Sequence, residues 1–302
     1  MSNFEDLITG RDLLFATLTE CQRSASEADE YAVDTKRYIR EAYWKILPAN
    51  RWEWALSSTP GVITTVAKVT GSVNSISSAT VTLSASITDS MTGRKFYMDA
   101  NQGVYRISAH TAGTATLTLD GSYVETETSG PFTIYQDEYS VSSDVLKVWD
   151  PFQVRGQWWQ EVPILDKPIF ENFFGKGWSA GPAPLQAATE VQRDTNGGRT
   201  FRFGPWSETA VSVEYDYTKF DDLDFSGVAA TDTPKVPRPH RHSIVELAAS
   251  KLWRHLDNTN NANNLFTMYE MTMADMISHY LGTAHEAQFQ VKMRNSLALG
   301  CN

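Results

Sequence analysis

The chain has 302 residues, 41% hydrophobic and 21% charged, a balance that excludes a disordered chain and predicts about two folded domains. No stretch approaches the roughly 20 apolar residues of a membrane-spanning helix, and the early acids in Met1-Ser2-Asn3-Phe4-Glu5-Asp6 argue against a signal or transit peptide. Lys and Arg number 26 against 36 Asp and Glu, and the net charge of −10 disfavours tight binding to phosphate backbones, though not passage of DNA without sticking.

Cys21 and Cys301 lie near opposite ends and form no disulfide framework, so a reducing compartment is the simpler reading. Aromatic residues reach 12%, with nine Trp, enough for large buried contacts in a core or between subunits.

Ser2 with Glu5 reads as a capping pair opening a helix, with Phe4, Leu7, Ile8, Phe15 and Leu18 on one face. Ser26 with Asp29 offers a second start. Ala32, Ile39, Ala42, Tyr43, Ile46 and Leu47 form its stripe, Glu41 and Lys45 are a favourable i,i+4 pair, and Pro48 is a stop. Ser57 to Gly61 reads as a turn.

Strand character begins at Val62. Val62–Val66, Ala79–Leu83, Phe96–Met98, Val104–Ile107, Ala115–Leu119 and Phe132–Tyr135 are β-rich runs separated by Gly, Asn and Pro turns, a spacing that suits a small antiparallel barrel or sandwich. Val145–Trp149 is one further strand. Residues 150–182 crowd aromatics with weak periodicity. Asn196-Gly197-Gly198 between Ala187–Val191 and Thr200–Phe203 is a hairpin signal. Val211–Tyr217 alternates, which predicts one wet face, and residues 221–240 read as a loop crossing back.

Helix returns with the capping pair Ser243 and Glu246 and the stripe Ile244, Leu247, Ala248, Leu252 and Leu256. Asn258–Asn264 reads as a break. Leu265, Met268, Tyr269, Met276, Ile277 and Tyr280 line a second helix ending at Gly282. The predicted fold class is α+β: a discontinuous helical bundle formed by N- and C-terminal helices with an inserted antiparallel β barrel or sandwich. The expected divisions are 1–58 with 240–282 for the bundle, 59–149 for the β-domain, 150–239 for the aromatic segment and hairpins, and 283–302 for an arm that orders against a partner.

Signals for chemistry are weak. Gly177-Trp178-Ser179-Ala180-Gly181 matches a nucleophile-elbow pattern, but Pro182 and Pro184 leave no helix to follow the turn. His240 and His242 lack further ligands for a metal and read as exposed residues at a helix entry; His285-Glu286 has Phe289 where a second His is needed. Asp222–Gly227 begins like a calcium loop, but Thr233 replaces its bidentate carboxylate. The expectation is therefore a non-enzyme with no catalytic residue, cofactor or metal. Trp158, Trp159, Phe173, Phe174 and Trp178 are candidates for a subunit interface, with an ordinary core as the competing role.

The run Tyr38-Ile39-Arg40-Glu41-Ala42-Tyr43-Trp44-Lys45-Ile46 followed by Arg51-Trp52-Glu53-Trp54 resembles the head-to-tail adaptor (connector) proteins of tailed bacteriophages. The middle segments Gly93–Phe96, Tyr105–Ile107, Thr116–Asp120 and Phe132–Tyr139, Asp144-Val145, and the helix Ser243–Leu256 after Pro237 and Pro239, are similar to that family in the same order. The resemblance spans about two-thirds of the chain. It implies a homo-oligomeric ring of about twelve copies attached beneath the portal protein in the virion neck. The ring is assembled in the host cytoplasm, passes DNA through its lumen without specific binding and docks a tail-side component such as a stopper, nozzle or tail tube. It also implies that Ala284–Asn302 is a portal-binding arm, with Phe289, Val291, Met293 and Leu297 as anchors. No membrane partner is implied. The alternatives are a carbohydrate- or receptor-binding β module of a tail fibre or baseplate, and a hydrolase built on Ser179.

Overall fold

The computed structural model describes residues 7–99, 103–155, 160–175, 182–193, 198–226 and 233–281. Among them lie five α-helices: α1 (Gly10–Glu20), α2 (Ala32–Ile46), α3 (Lys167–Phe174), α4 (His242–His255) and α5 (Thr259–Leu281). The strands are β1 (Gly61–Thr64), β2 (Val69–Ser77), β3 (Thr80–Ile87), β4 (Lys95–Met98), β5 (Val104–His110), β6 (Thr114–Leu119), β7 (Gly130–Tyr135), β8 (Glu138–Ser140), β9 (Val145–Val148), β10 (Phe152–Val154), β11 (Gln160–Val162), β12 (Ala187–Arg193), β13 (Arg199–Gly204), β14 (Ser212–Tyr215) and β15 (Tyr217–Lys219). Met1–Ser57 and Thr218–Asn302 make up one compact unit, and Ser58–Tyr217 the other.

In the first unit, α1 opens on a capping box. Thr9 Oγ1 accepts from the Asp12 amide at 3.2 Å, and Asp12 Oδ2 accepts from the Thr9 amide at 2.8 Å. The expected start at Ser2 with Glu5, and Phe4 with it, lies outside the described residues. Leu7 and Ile8 precede the helix instead of joining its stripe.

Helix α2 starts later than Ser26 suggests. Ser26 and Asp29 build the preceding turn, where Asp29 Oδ1 accepts from the Tyr31 amide at 2.9 Å. Its stripe is buried as the periodicity predicts. The Glu41–Lys45 pair gives way to tertiary partners. Glu41 meets Lys251 of α4 at 2.6 Å, and Lys45 Nζ lies 5.5 and 5.6 Å from the ring centres of Phe266 and Tyr269 on α5. An exposed i,i+4 pair contributes only about 0.2–0.5 kcal/mol, so such neighbours decide.

Helix α4 is the centre of this unit: Ser243 to Ser250 are all buried, and the helix packs on α1, α2 and α5. The capping pair expected at its start is not used. Ser243 Oγ donates to the His240 carbonyl at 2.7 Å, and Glu246 turns toward α5. The Asn-rich stretch is not a break either. Asn258 Oδ1 accepts from the Asn261 amide at 3.1 Å and starts α5, so Asn260–Asn264 are helical. Met268, expected in the stripe, faces solvent, while Ala262, Tyr269, Met273, Met276 and Ile277 are buried.

In the second unit, six antiparallel strands close a barrel in the order β2-β3-β6-β5-β4-β7. Val73, Val81, Leu83, Phe96, Ile107, Leu117 and Ile134 fill it. Strand β2 carries little strand signal in sequence. A bulge shifts the register between Val73 and Ser75, so its inward residues Val73 and Ile76 fall three apart and the period of two is lost. Val62 and Ile63, read as part of the same β-rich series, belong elsewhere: β1 joins the sheet β1-β14-β10-β11. A second core gathers Ile63, Phe152, Val162, Phe201, Phe203 and Val213.

Strands β12 and β13 pair antiparallel as the hairpin signal predicts; Asn196 and Gly197 lie outside the described residues. The wet face expected on Val211–Tyr217 is absent from β14, where Val213, Glu214 and Tyr215 are all buried. β14 is an interior strand between β1 and β10, and Glu214 is paired with Arg155.

Candidate functional site

Of the aromatic interface candidates, Trp158, Trp159 and Trp178 lie outside the described residues, as do the arm residues Phe289, Val291, Met293 and Leu297. Phe173 and Phe174 sit on α3, whose two sides differ. Phe170 is fully buried and Phe174 half-buried, with ring centres 4.9 Å apart, both against Gly204, where a Cβ would come within 2.7 Å of either ring. Ile169 and Phe173 are 46% and 73% exposed and, four residues apart, form one apolar ridge. Phe173 is therefore open to a partner, while Phe174 packs inward.

In the helical unit α5 exposes Met268 and Met271, the latter at 67%. Ile169 and Met271 escape sequence reading because each follows its helical periodicity onto the face away from the core. Methionine adapts to irregular contact surfaces, which suits it to docking.

The interface between α4 and α5 holds a buried polar cluster. Thr272 Oγ1 donates to Glu246 Oε2 at 3.0 Å and lies 3.2 Å from His242 Nε2. Burial pushes the Glu246 carboxyl up to about 7. His240 is 6% exposed, its Nδ1 3.7 Å from Asp275 Oδ2, with the His279 ring centre 5.9 Å and the Tyr280 ring centre 5.5 Å away. Burial holds both His240 and His242 below the usual imidazole range.

His240 is thus not the exposed residue expected at a helix entry. The reason is Arg241, equally buried, whose guanidinium donates to the carbonyls of Val236, Leu7, Ile8 and Pro234 and draws this turn inward. Among the described residues no three carboxylate, imidazole or thiol groups are placed to hold a metal ion. Asp224, in the calcium-loop-like segment, uses Oδ1 to accept from the Phe225 and Ser226 amides, a local turn. Ser179 with its flanking glycines, and His285-Glu286, lie outside the described residues.

What the described residues offer is apolar contact surface on both units and a carboxyl poised to bind a proton. No protein-family model matches the chain, and no curated protein matches it.

Proposed function

We propose that the chain is a structural head-to-tail adaptor of the tailed-bacteriophage kind, forming a ring of about twelve copies beneath a portal in the virion neck. The observation that carries the reading is the division of the chain. Residues from both ends, Met1–Ser57 and Thr218–Asn302, share one compact unit, and the β-rich Ser58–Tyr217 is inserted between them. A unit drawn from both ends of the chain, with a β-rich insertion, supports that reading.

The mechanism is passive. Apolar contact by Phe173 and Ile169, with Trp158, Trp159 and Trp178, holds neighbouring copies, and the arm Ala284–Asn302 grips the portal. At −10 per chain such a ring carries about −120, which repels DNA from any acid-lined wall and lets it pass.

The test is size-exclusion chromatography with mass measurement and negative-stain imaging, with and without portal. The expected result is a monomeric or weakly associated chain alone and rings of fixed symmetry with portal. Replacing Ile169 and Phe173 together by Ser is expected to abolish rings while changing stability by about 1 kcal/mol or less, the sum of two exposed-site changes. A stable isolated dimer, or glycan binding by the full chain without rings, overturns the reading.

A further inference from the structure

The barrel wall has a notch. Strands β2 and β3 pair from Ser77 and Thr80 as far as Val73 and Leu83, then part. Beyond that point, among the described residues, Val69 to Ser72 remain paired to β7 on one side only. On β3, the pairing with β6 jumps from Thr82 to Ile87, so among the described residues Ser84, Ala85 and Ser86 have no ladder partner on either side. Both open edges line one groove of about 280 Å³.

Open extended edges are templates for another strand, and proteins usually protect them with Lys, Pro or a covering segment. These edges carry Thr, Gly, Ser and Ala, all exposed over Thr70–Ser72 and Ser84–Ser86. Phe132, a core residue only 3% exposed, closes the groove beneath Gly71, where a Cβ would come within 2.9 Å of that ring. Among the described residues, Asp89 is the one charged residue of the lining. Two backbone edges, small side chains, the half-buried apolar Val69 and Ile87 and one carboxylate describe a receptor for an extended polypeptide.

We propose that this notch takes a β-strand supplied by Gln288–Met293 of a second copy of the chain. In sequence that segment alternates Gln288, Phe289, Gln290, Val291, Lys292, Met293, so an extended form presents three apolar residues to one side and Lys292 to the other. It contains neither Pro nor Gly, and its one charge is opposite in sign to Asp89. The segment begins seven positions beyond Leu281, the last residue of α5. The adaptor reading is not needed for this contact; if a portal also takes the segment, the two sites compete for one strand.

Two full-length chains, both carrying Cys301→Ser, test it: one with Ala85→Cys, the other with Val291→Cys. Mixed under mild oxidation without portal, they are expected to form the crosslinked pair about tenfold faster than a Val124→Cys control, from raised effective concentration. Adding Gln290→Pro, which removes an amide that a strand flanked on both sides must use, is expected to abolish that advantage. Hydrogen exchange on the unaltered chain is the second measurement. A synthetic peptide of residues 286–295 is expected to protect Val69–Ser72 and Ser84–Ser86. Equal crosslinking rates, or no protection at millimolar peptide, overturn the proposal and leave the adaptor reading untouched, because no portal is present.

Discussion

Lys95 Nζ on β4 sits 2.8 Å from Asp137 Oδ2 just beyond β7, with the two side chains 9% and 1% exposed. The pair is the centre of a buried network. Glu138 Oε1 lies 3.5 Å from the same Lys95 and accepts from Arg202 on β13 at 2.5 Å, while Arg202 Nε is 3.9 Å from Asp137. Burial pushes the Asp137 carboxyl up despite these cations; burial acts the same way on Glu138, but Arg202 and Lys95 hold it below the usual range.

Lys95→Met is therefore expected to cost about 3 kcal/mol, because it strips the buried Asp137 of its nearest counter-charge. Replacing both partners, Lys95→Met with Asp137→Leu, is expected to recover most of that loss. Urea denaturation of the two variants measures the difference. Equal destabilisation by the single and double variants would show that the pair itself, and not the orphaned charge, supplies the stability.

Glu246 makes stability depend on pH in a direction opposite to that of most paired carboxylates. Its folded carboxyl is raised to about 7 by burial, above the ordinary value of 4.5. Between those values the folded state keeps a proton that the unfolded chain has released, so this contribution is full below about 4.5 and lost as pH rises through about 7. Glu246→Gln keeps an acceptor for Thr272 and removes the titration. It is expected to raise stability by about 1–3 kcal/mol at pH 8 and to change it little at pH 4.5, read from melting temperatures across that range. A gain that is the same at both pH values sinks this account.

Gly10→Ala reverses an ordinary expectation. Alanine favours a helix over glycine by about 1 kcal/mol in a helix interior. Here a Cβ would meet the Asp224 carbonyl oxygen at 2.3 Å, a backbone atom that no side-chain rotation relieves. The variant is expected to lose about 1–3 kcal/mol, as overpacked sites do, measured by thermal denaturation. A stabilised variant would mean that the Asp224 loop moves aside at no cost.

Glu246 shows where sequence reading stops. Glu246 follows Ser243 at capping spacing, and local sequence offers nothing against a cap. Arg241 changes the outcome: by binding carbonyls from Leu7 to Val236 it draws the turn into the interior, and Glu246 then faces Thr272 across a helix interface. Strand β2 failed to show for a related reason. Its bulge is set by pairing with β3, and no residue in β2 announces it. Of the candidate contact residues, the exposure of Phe173 is tied to where Phe170 and Phe174 find their core. That core includes Gly204, thirty positions past Phe174 in sequence.

By itself the sequence determined the alternation of helical ends and a β-rich middle, and most of the apolar faces, because burial of periodic side chains is a local pattern with a large energy behind it. Only the tertiary structure decided which strands close the barrel, which charges are enclosed and which ridges stay open. Those outcomes depend on partners distant in the chain, and the energies separating them are of the size that a single neighbour overturns.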